Sequence, residues 1–247
     1  MSIQSCCLEG FRWDGTPIGR TKKILDHDVY VSGENKSAAI LLIHDLFGWS
    51  FPNIRLLADH YAQEADASVY VPDFFAGEVI PFDLLSAERW GEIDLASFMA
   101  RNARNIREPE IISFAKALRG KHTKVAAIGF CYGGWSVFRL GDKEHQPPLV
   151  DCITAGHPSL LTTDDINAVG VPVQLLAPEM DPVYTAELKL HTFQTFQTSG
   201  IPFDYQHFPG VAHACLVRGD ENRPGERAAM VRGKNAAVGW MKHFLHE

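Results

Sequence analysis

No stretch of this chain is apolar for long. Its hydrophobic runs, such as residues 38–43 and 125–130, stop far short of the roughly 18 residues that a transmembrane helix requires. Clusters of lysine and arginine are missing as well, and 23 basic against 30 acidic side chains leave a net charge of −7. That balance argues against nucleic acid and against an anionic membrane surface as partners. The first residues, Met1-Ser2-Ile3-Gln4-Ser5-Cys6-Cys7, have neither the positive nor the apolar region of a secretory signal. Cysteine is scarce: Cys6, Cys7, Cys131, Cys152 and Cys215 cannot all pair and have no zinc spacing, so reduced thiols and a cytoplasmic location are expected. HExxH, CxxC and EF-hand patterns are absent, which predicts no metal site. Dinucleotide and P-loop fingerprints are absent too, so no cofactor is expected.

What is present is the composition of an ordinary globular protein, 46% apolar and 21% charged over 247 residues. A chain of this length can bury roughly 70% of its unfolded surface without disulfide or metal staples. No repeat, low-complexity tract or linker divides it, so residues 1–247 are expected to form one domain. Ala38-Ala39-Ile40-Leu41-Leu42-Ile43 is continuously apolar, as a strand covered on both faces should be. Residues 68–71, 125–130, 150–154 and 171–177 have the same character, and 203–208 form a further short strand. Helical stretches lie between them at about 52–64, 108–118, 132–140 and 184–198. A last helix carries Ala236, Trp240 and Phe244 beside Ala237, Met241 and Leu245 on one stripe. Strands alternating with helices predict an α/β fold, mostly parallel, with helices on both faces. Residues 76–90 fit no element and are expected to form a loop over a site.

Ligands of such sheets sit beyond the carboxyl ends of the strands. The most informative strand end is Gly129-Phe130-Cys131-Tyr132-Gly133-Gly134, a G-x-C-x-G pattern between a strand and a helix. This is a nucleophile elbow with cysteine in the place of serine. The glycines make room for a tight turn, the helix N-terminus favours a thiolate, and the Tyr132 N–H becomes an oxyanion donor. The bland alternative is a buried cysteine in a glycine-rich turn. An acid and then a histidine are expected downstream. Asp181 lies just beyond residues 171–177, with Glu179 as a rival acid, and His213 is the histidine between the last strand and the last helix. A turn carboxylate and a loop imidazole are the alternatives for these two. Asp73 and Glu78 read as turn residues at a strand end.

The segments Leu42-Ile43-His44-Asp45-Leu46-Phe47-Gly48, Val71-Pro72-Asp73-Phe74-Phe75-Ala76-Gly77-Glu78, the elbow, and His213-Ala214-Cys215-Leu216-Val217-Arg218-Gly219 together resemble the dienelactone hydrolase family of the α/β-hydrolase superfamily. The Cys6-Cys7 pair and the Asp-x-Phe-Gly form of the first segment are similar to its fungal branch. The resemblance implies hydrolysis of enol lactones and related esters by a Cys131–His213–Asp181 triad, without metal or cofactor. It makes the Leu46 N–H the second oxyanion donor. It places Asp45 where bacterial members carry a glutamate that governs thiol ionisation. Arg218, five residues after His213 rather than four, resembles an arginine that binds a substrate carboxylate, and Arg89 is the candidate for a second one. His157 is either a pocket residue or a packed histidine at its strand end.

A small-molecule lactone or activated ester is therefore the expected partner, and a hydrolase the expected activity. Two further readings use the same residues. One is a polyketide-tailoring enzyme of secondary metabolism that performs thioester release, lactonisation or a rearrangement. The other is a degenerate hydrolase that only binds its ligand. The sequence is silent on oligomeric state.

Overall fold

The computed structural model describes residues 10, 12–80, 84 and 92–247. Cys6, Cys7 and Arg89 lie outside the described residues, as does most of the loop expected at 76–90. The strands are β1 (Arg20–Ile24), β2 (His27–Ser32), β3 (Ala38–Ile43), β4 (Ser68–Pro72), β5 (Lys124–Phe130), β6 (Cys152–Gly156), β7 (Val173–Met180) and β8 (Phe203–Ala212). Helices α1 (Pro52–Glu64), α2 (Leu95–Arg101), α3 (Arg104–Lys121), α4 (Gly133–Leu140), α5 (Thr163–Ala168), α6 (Ala186–Ser199), α7 (Cys215–Arg218) and α8 (Pro224–His246) connect or follow them.

The eight strands form one sheet in the order β1-β2-β4-β3-β5-β6-β7-β8. From β4 onward across β3, β5, β6, β7 and β8 every pairing is parallel. The β1–β2 hairpin is antiparallel to itself and to β4. Its two-residue turn sets Leu25 and Asp26 at φ 49° and 65°, the left-handed pair that matches the twist of a tight hairpin. Arg20, Thr21, Lys22 and Lys23 leave this outer strand exposed and charged, which discourages edge-to-edge pairing.

Period-two alternation explains why β3 is apolar throughout. Ala39, Leu41 and Ile43 enter one core with Phe114 of α3 and Trp135 and Phe138 of α4. Ala38, Ile40 and Leu42 enter the other with Leu57 and Tyr61 of α1 and Met241 and Leu245 of α8. Each such fully buried aliphatic side chain contributes about 1.5–3 kcal/mol. This doubly covered, mostly parallel sheet is an α/β-hydrolase fold.

Element bounds differ from expectation where side chains or proline intervene. β6 starts at Cys152 rather than 150, because the Asp151 carboxylate accepts the Val125 N–H at 2.7 Å and serves as the strand's lead-in. Pro172 has no N–H to add to the ladder, so β7 begins at Val173. α3 begins a turn earlier than 108 and accommodates Pro109 within it.

Candidate active site

The carboxyl ends of β3, β5, β6, β7 and β8 bring the predicted residues to one edge of the sheet. Cys131 follows β5 with φ 49°, a left-handed conformation that β-carbon-bearing residues avoid. The turn closes only because its glycines lack side chains: a Cβ on Gly129 would sit 2.1 Å from the Gly133 carbonyl oxygen, and one on Gly133 would sit 2.3 Å from that of Ile43. The elbow therefore packs backbone to backbone against the end of β3. Leu46 lies just past that end, and Tyr132 stands at the start of α4. The Tyr132 hydroxyl donates to the Asn102 carbonyl at 2.7 Å, and its ring packs edge-on against Phe75 and Trp135.

His213 follows β8, and its N–H donates to the Met180 carbonyl at 3.0 Å, which ties it to β7. Its Nδ1 stands 2.9 Å from Asp181 Oδ1, with both side chains fully buried. Asp181 Oδ1 also accepts the N–H groups of Val183 and Tyr184, each at 2.9 Å. Cys131 lies close enough for its charge to act on the same imidazole. Burial opposes an imidazolium at His213, but a negative sulfur at Cys131 and the Asp181 carboxylate outweigh it and carry the ring up to about 10. The rival acid, Glu179, is exposed and accepts the Gly210 N–H at 2.7 Å instead.

Two residues with separate expected roles are found together. Arg218 Nε lies 2.6 Å from Asp45 Oδ2, and the guanidinium carbon is 4.0 Å from the centre of the Phe47 ring. Arg218 is only 3% exposed, so a carboxylate of the chain already engages it. Burial pushes Asp45 above the ordinary carboxylate range, Arg218 pulls it back down, and negative charge at Cys131 raises it again. Asp45 Oδ1 accepts the Phe47 N–H at 2.9 Å, which shapes the loop that carries Leu46.

His157 is fully buried at φ 39°, with its ring centre 4.9 Å from that of His213. Among the described residues neither of its ring nitrogens has a hydrogen-bond partner. Burial, then the charges of His213 and Arg218, hold it well below the usual histidine value, so it is neutral. Asp73 accepts the N–H groups of Phe75 and Gly77 at 2.9 and 2.6 Å, and Glu78 pairs with Arg101 at 2.6 Å. Both are structural, as expected.

Two neighbours were not singled out by the sequence. His44 is kept neutral by burial at about 4; its Nδ1 lies 2.9 Å from the Asp45 carbonyl, and its Nε2 accepts the Phe74 N–H at 3.3 Å. It braces the loop after β3 against that after β4. Ser159 places its hydroxyl 3.3 Å from the Cys131 sulfur. Its signal in the sequence is only its place, just beyond the strand that neighbours the elbow. Among the described residues no group of His, Cys, Asp and Glu is arranged to hold a metal ion, and no described helix is long and apolar enough to cross a membrane.

Residues 27–245 match the dienelactone hydrolase family. The chain belongs to that family. It is 27% identical to the hydrolase tropI of Talaromyces stipitatus, across 99% of this chain and 97% of that one. It is 26% identical to the human carboxymethylenebutenolidase homolog, across 97% of this chain and 96% of the relative. The crystal structure of a dienelactone hydrolase-like promiscuous phosphotriesterase from metagenomic libraries superposes with a TM-score of 0.66 at 17% identity, over 92% of this chain and 98% of that one, and shows the shared fold. Family and fold together make this dienelactone hydrolase family member a hydrolase acting on a small molecule.

Proposed function

We propose that the protein hydrolyses lactones or activated esters, enol esters above all, through a covalent thioester on Cys131. The observation that carries this is His213, whose Nδ1 stands 2.9 Å from the buried Asp181 carboxylate and whose charge responds to the elbow cysteine. This supports Cys131 as nucleophile, His213 as base and Asp181 as orienting acid, in the chain order expected for the fold. The sulfur attacks the ester carbonyl, and the N–H groups of Leu46 and Tyr132 hold the oxyanion. As the C–O bond breaks, the imidazolium gives its proton to the departing oxygen. Water then attacks the thioester, His213 takes its proton, and the C–S bond breaks to return the thiolate. A thiolate leaves more readily than an ordinary alkoxide, so a cysteine nucleophile suits substrates whose leaving oxygen is already stabilised. The similarity to a fungal hydrolase over nearly the whole chain supports placing the protein with the fungal branch.

A chromogenic aryl ester, turned over by wild type and Cys131→Ala, tests the reading. Loss of turnover to the uncatalysed level in a variant that melts normally is the expected result. Turnover near wild type would remove Cys131 from the mechanism. It would leave a ligand-binding site as the better account of the pocket.

A further inference from the structure

The elbow is held from a second side by the loop after β6. Cys131 N–H donates to the Gly156 carbonyl at 3.1 Å, and Ser159 N–H donates to the Cys131 carbonyl at 2.8 Å. These two bonds fix residues 156–159 alongside the turn. His157 and Leu160, on either side of Ser159, both have positive φ, at 39° and 58°. Side-chain-bearing residues keep such a conformation only where the surroundings enforce it, and it concentrates at functional sites. The strained loop delivers a buried hydroxyl: Ser159 is 8% exposed, and its Oγ lies 3.3 Å from Cys131 Sγ.

We propose that the Ser159 hydroxyl donates a hydrogen bond to the Cys131 sulfur and holds it as a thiolate in its attacking position. The inference rests on Cys131 being the nucleophile proposed above. A buried anion needs hydrogen-bond donors. The charged and titratable groups around the sulfur come from five places in the fold. They are Asp45 with Arg218 from the loop after β3 and from α7, His213 backed by Asp181 from the ends of β8 and β7, and neutral His157 from the same loop as Ser159. Asp45 opposes a negative sulfur, and a neutral hydroxyl offsets that opposition without adding a charge. As the sulfur bonds to carbon it loses its charge and the O–H···S bond weakens. Ser159 thus raises the thiolate population at the expense of some intrinsic nucleophilicity.

That trade-off separates a donor from a mere packing residue. The measurement is the pH dependence of thiolate ultraviolet absorbance and of iodoacetamide labelling of Cys131, in wild type, Ser159→Ala and Ser159→Thr, with Cys131→Ala as the blank. The midpoint belongs to the Cys131–His213 pair. In Ser159→Ala it should rise by about one pH unit, with roughly tenfold less thiolate below it. The labelling rate on the high-pH plateau should rise about threefold, because a more basic thiolate is more nucleophilic. Ser159→Thr, which keeps the hydroxyl, should restore both. If Ser159→Ala does not fold, Ser159→Gly, which also removes the hydroxyl, replaces it with the same expected directions. An unchanged midpoint, a lower plateau, or failure of Ser159→Thr to restore the wild-type profile overturns the proposal. None of these results touches the hydrolase reading, which fails separately if Cys131→Ala keeps its esterase turnover.

Discussion

Replacing Arg218 by methionine isolates one buried charge. Methionine keeps much of the apolar stem against Phe47 but deletes the cation 2.6 Å from Asp45. Removing one partner of a buried pair costs about 3–5 kcal/mol, because the other charge is left uncompensated. With the stacking partly kept, the lower end applies, about 3 kcal/mol. For a chain of this size that corresponds to a fall in Tm of roughly 6–12 °C. The loss should depend on pH. Arg218 pulls the proton affinity of Asp45 down against burial, so without it the folded-state value rises further above the unfolded value near 3.9. A carboxyl shifted upward contributes stability that is present below its unfolded value and lost as pH rises through its folded one. The variant should therefore lie close to wild type near pH 4. It should lose up to about 1.4 kcal/mol per pH unit above that, until the folded-state value is passed. Thermal melts of wild type, Arg218→Met, Asp45→Asn and the double variant between pH 5 and 8 read this directly. The double variant, with no charge left to strand, should recover most of the loss. A penalty under about 1 kcal/mol, a flat pH dependence, or a double variant no better than the worse single one would refute the reasoning.

Asp181→Asn should leave the fold intact and lower turnover of an aryl ester by about 10⁴-fold, the loss seen when a triad carboxylate elsewhere becomes an amide. Glu179→Gln should stay within about twofold of wild type, since Glu179 faces solvent; a larger effect than that of Asp181→Asn in steady-state kinetics would reverse the assignment. Limiting iodoacetamide near neutral pH should label Cys131 ahead of Cys152 and Cys215, with activity falling in step. Burial pushes the Cys152 thiol well up and the Cys215 thiol up to about 12. Loss of activity through Cys215 alone, read by mass spectrometry of the peptides, would contradict this.

The parts of the fold that were legible in the sequence are those whose physics is local. β3 to β7 announce themselves because strands covered on both faces are largely apolar, and the elbow because a turn in which an added Cβ would fall within about 2.3 Å of a backbone carbonyl requires glycine at fixed places. The β1–β2 hairpin was not legible. Arg20, Thr21, Lys22 and Lys23 form an exposed edge with no inward face, so no periodicity marks it. The sequence favoured Asp181 as the acid beside His213 but kept Glu179 as a rival, since both lie at the end of β7. Only the chain direction after that strand turns Asp181 inward and Glu179 outward. The place of Arg218 five residues after His213 is local information and carried its resemblance to a substrate-binding arginine. Its pairing with Asp45 is a further contact that depends on α7 packing against the loop after β3. Ser159 escaped notice for the same reason: a serine after a strand is unremarkable until the neighbouring elbow is set beside it.

The Asp45–Arg218 pair is a poor stabiliser by ordinary accounting, since a buried ion pair recovers little beyond its own desolvation. Its place near Cys131 suggests what else it does. The Asp45 carboxylate opposes a thiolate, and the guanidinium cancels that opposition, so the field at the sulfur depends on both partners together. Asp181 is held differently: Val183 and Tyr184 N–H groups donate to it and His213 Nδ1 stands 2.9 Å away. It follows that one stranded charge should show itself twice in Arg218→Met. The carboxylate that lowers the melting temperature at neutral pH should also raise the pH at which Cys131 ionises, and it should slow neutral aryl esters that have no carboxylate to bind. Adding Asp45→Asn removes that charge, so stability and thiolate formation should recover together. Were stability restored while thiolate formation stayed impaired, Arg218 would be acting on the sulfur without Asp45, and the two effects would have separate causes.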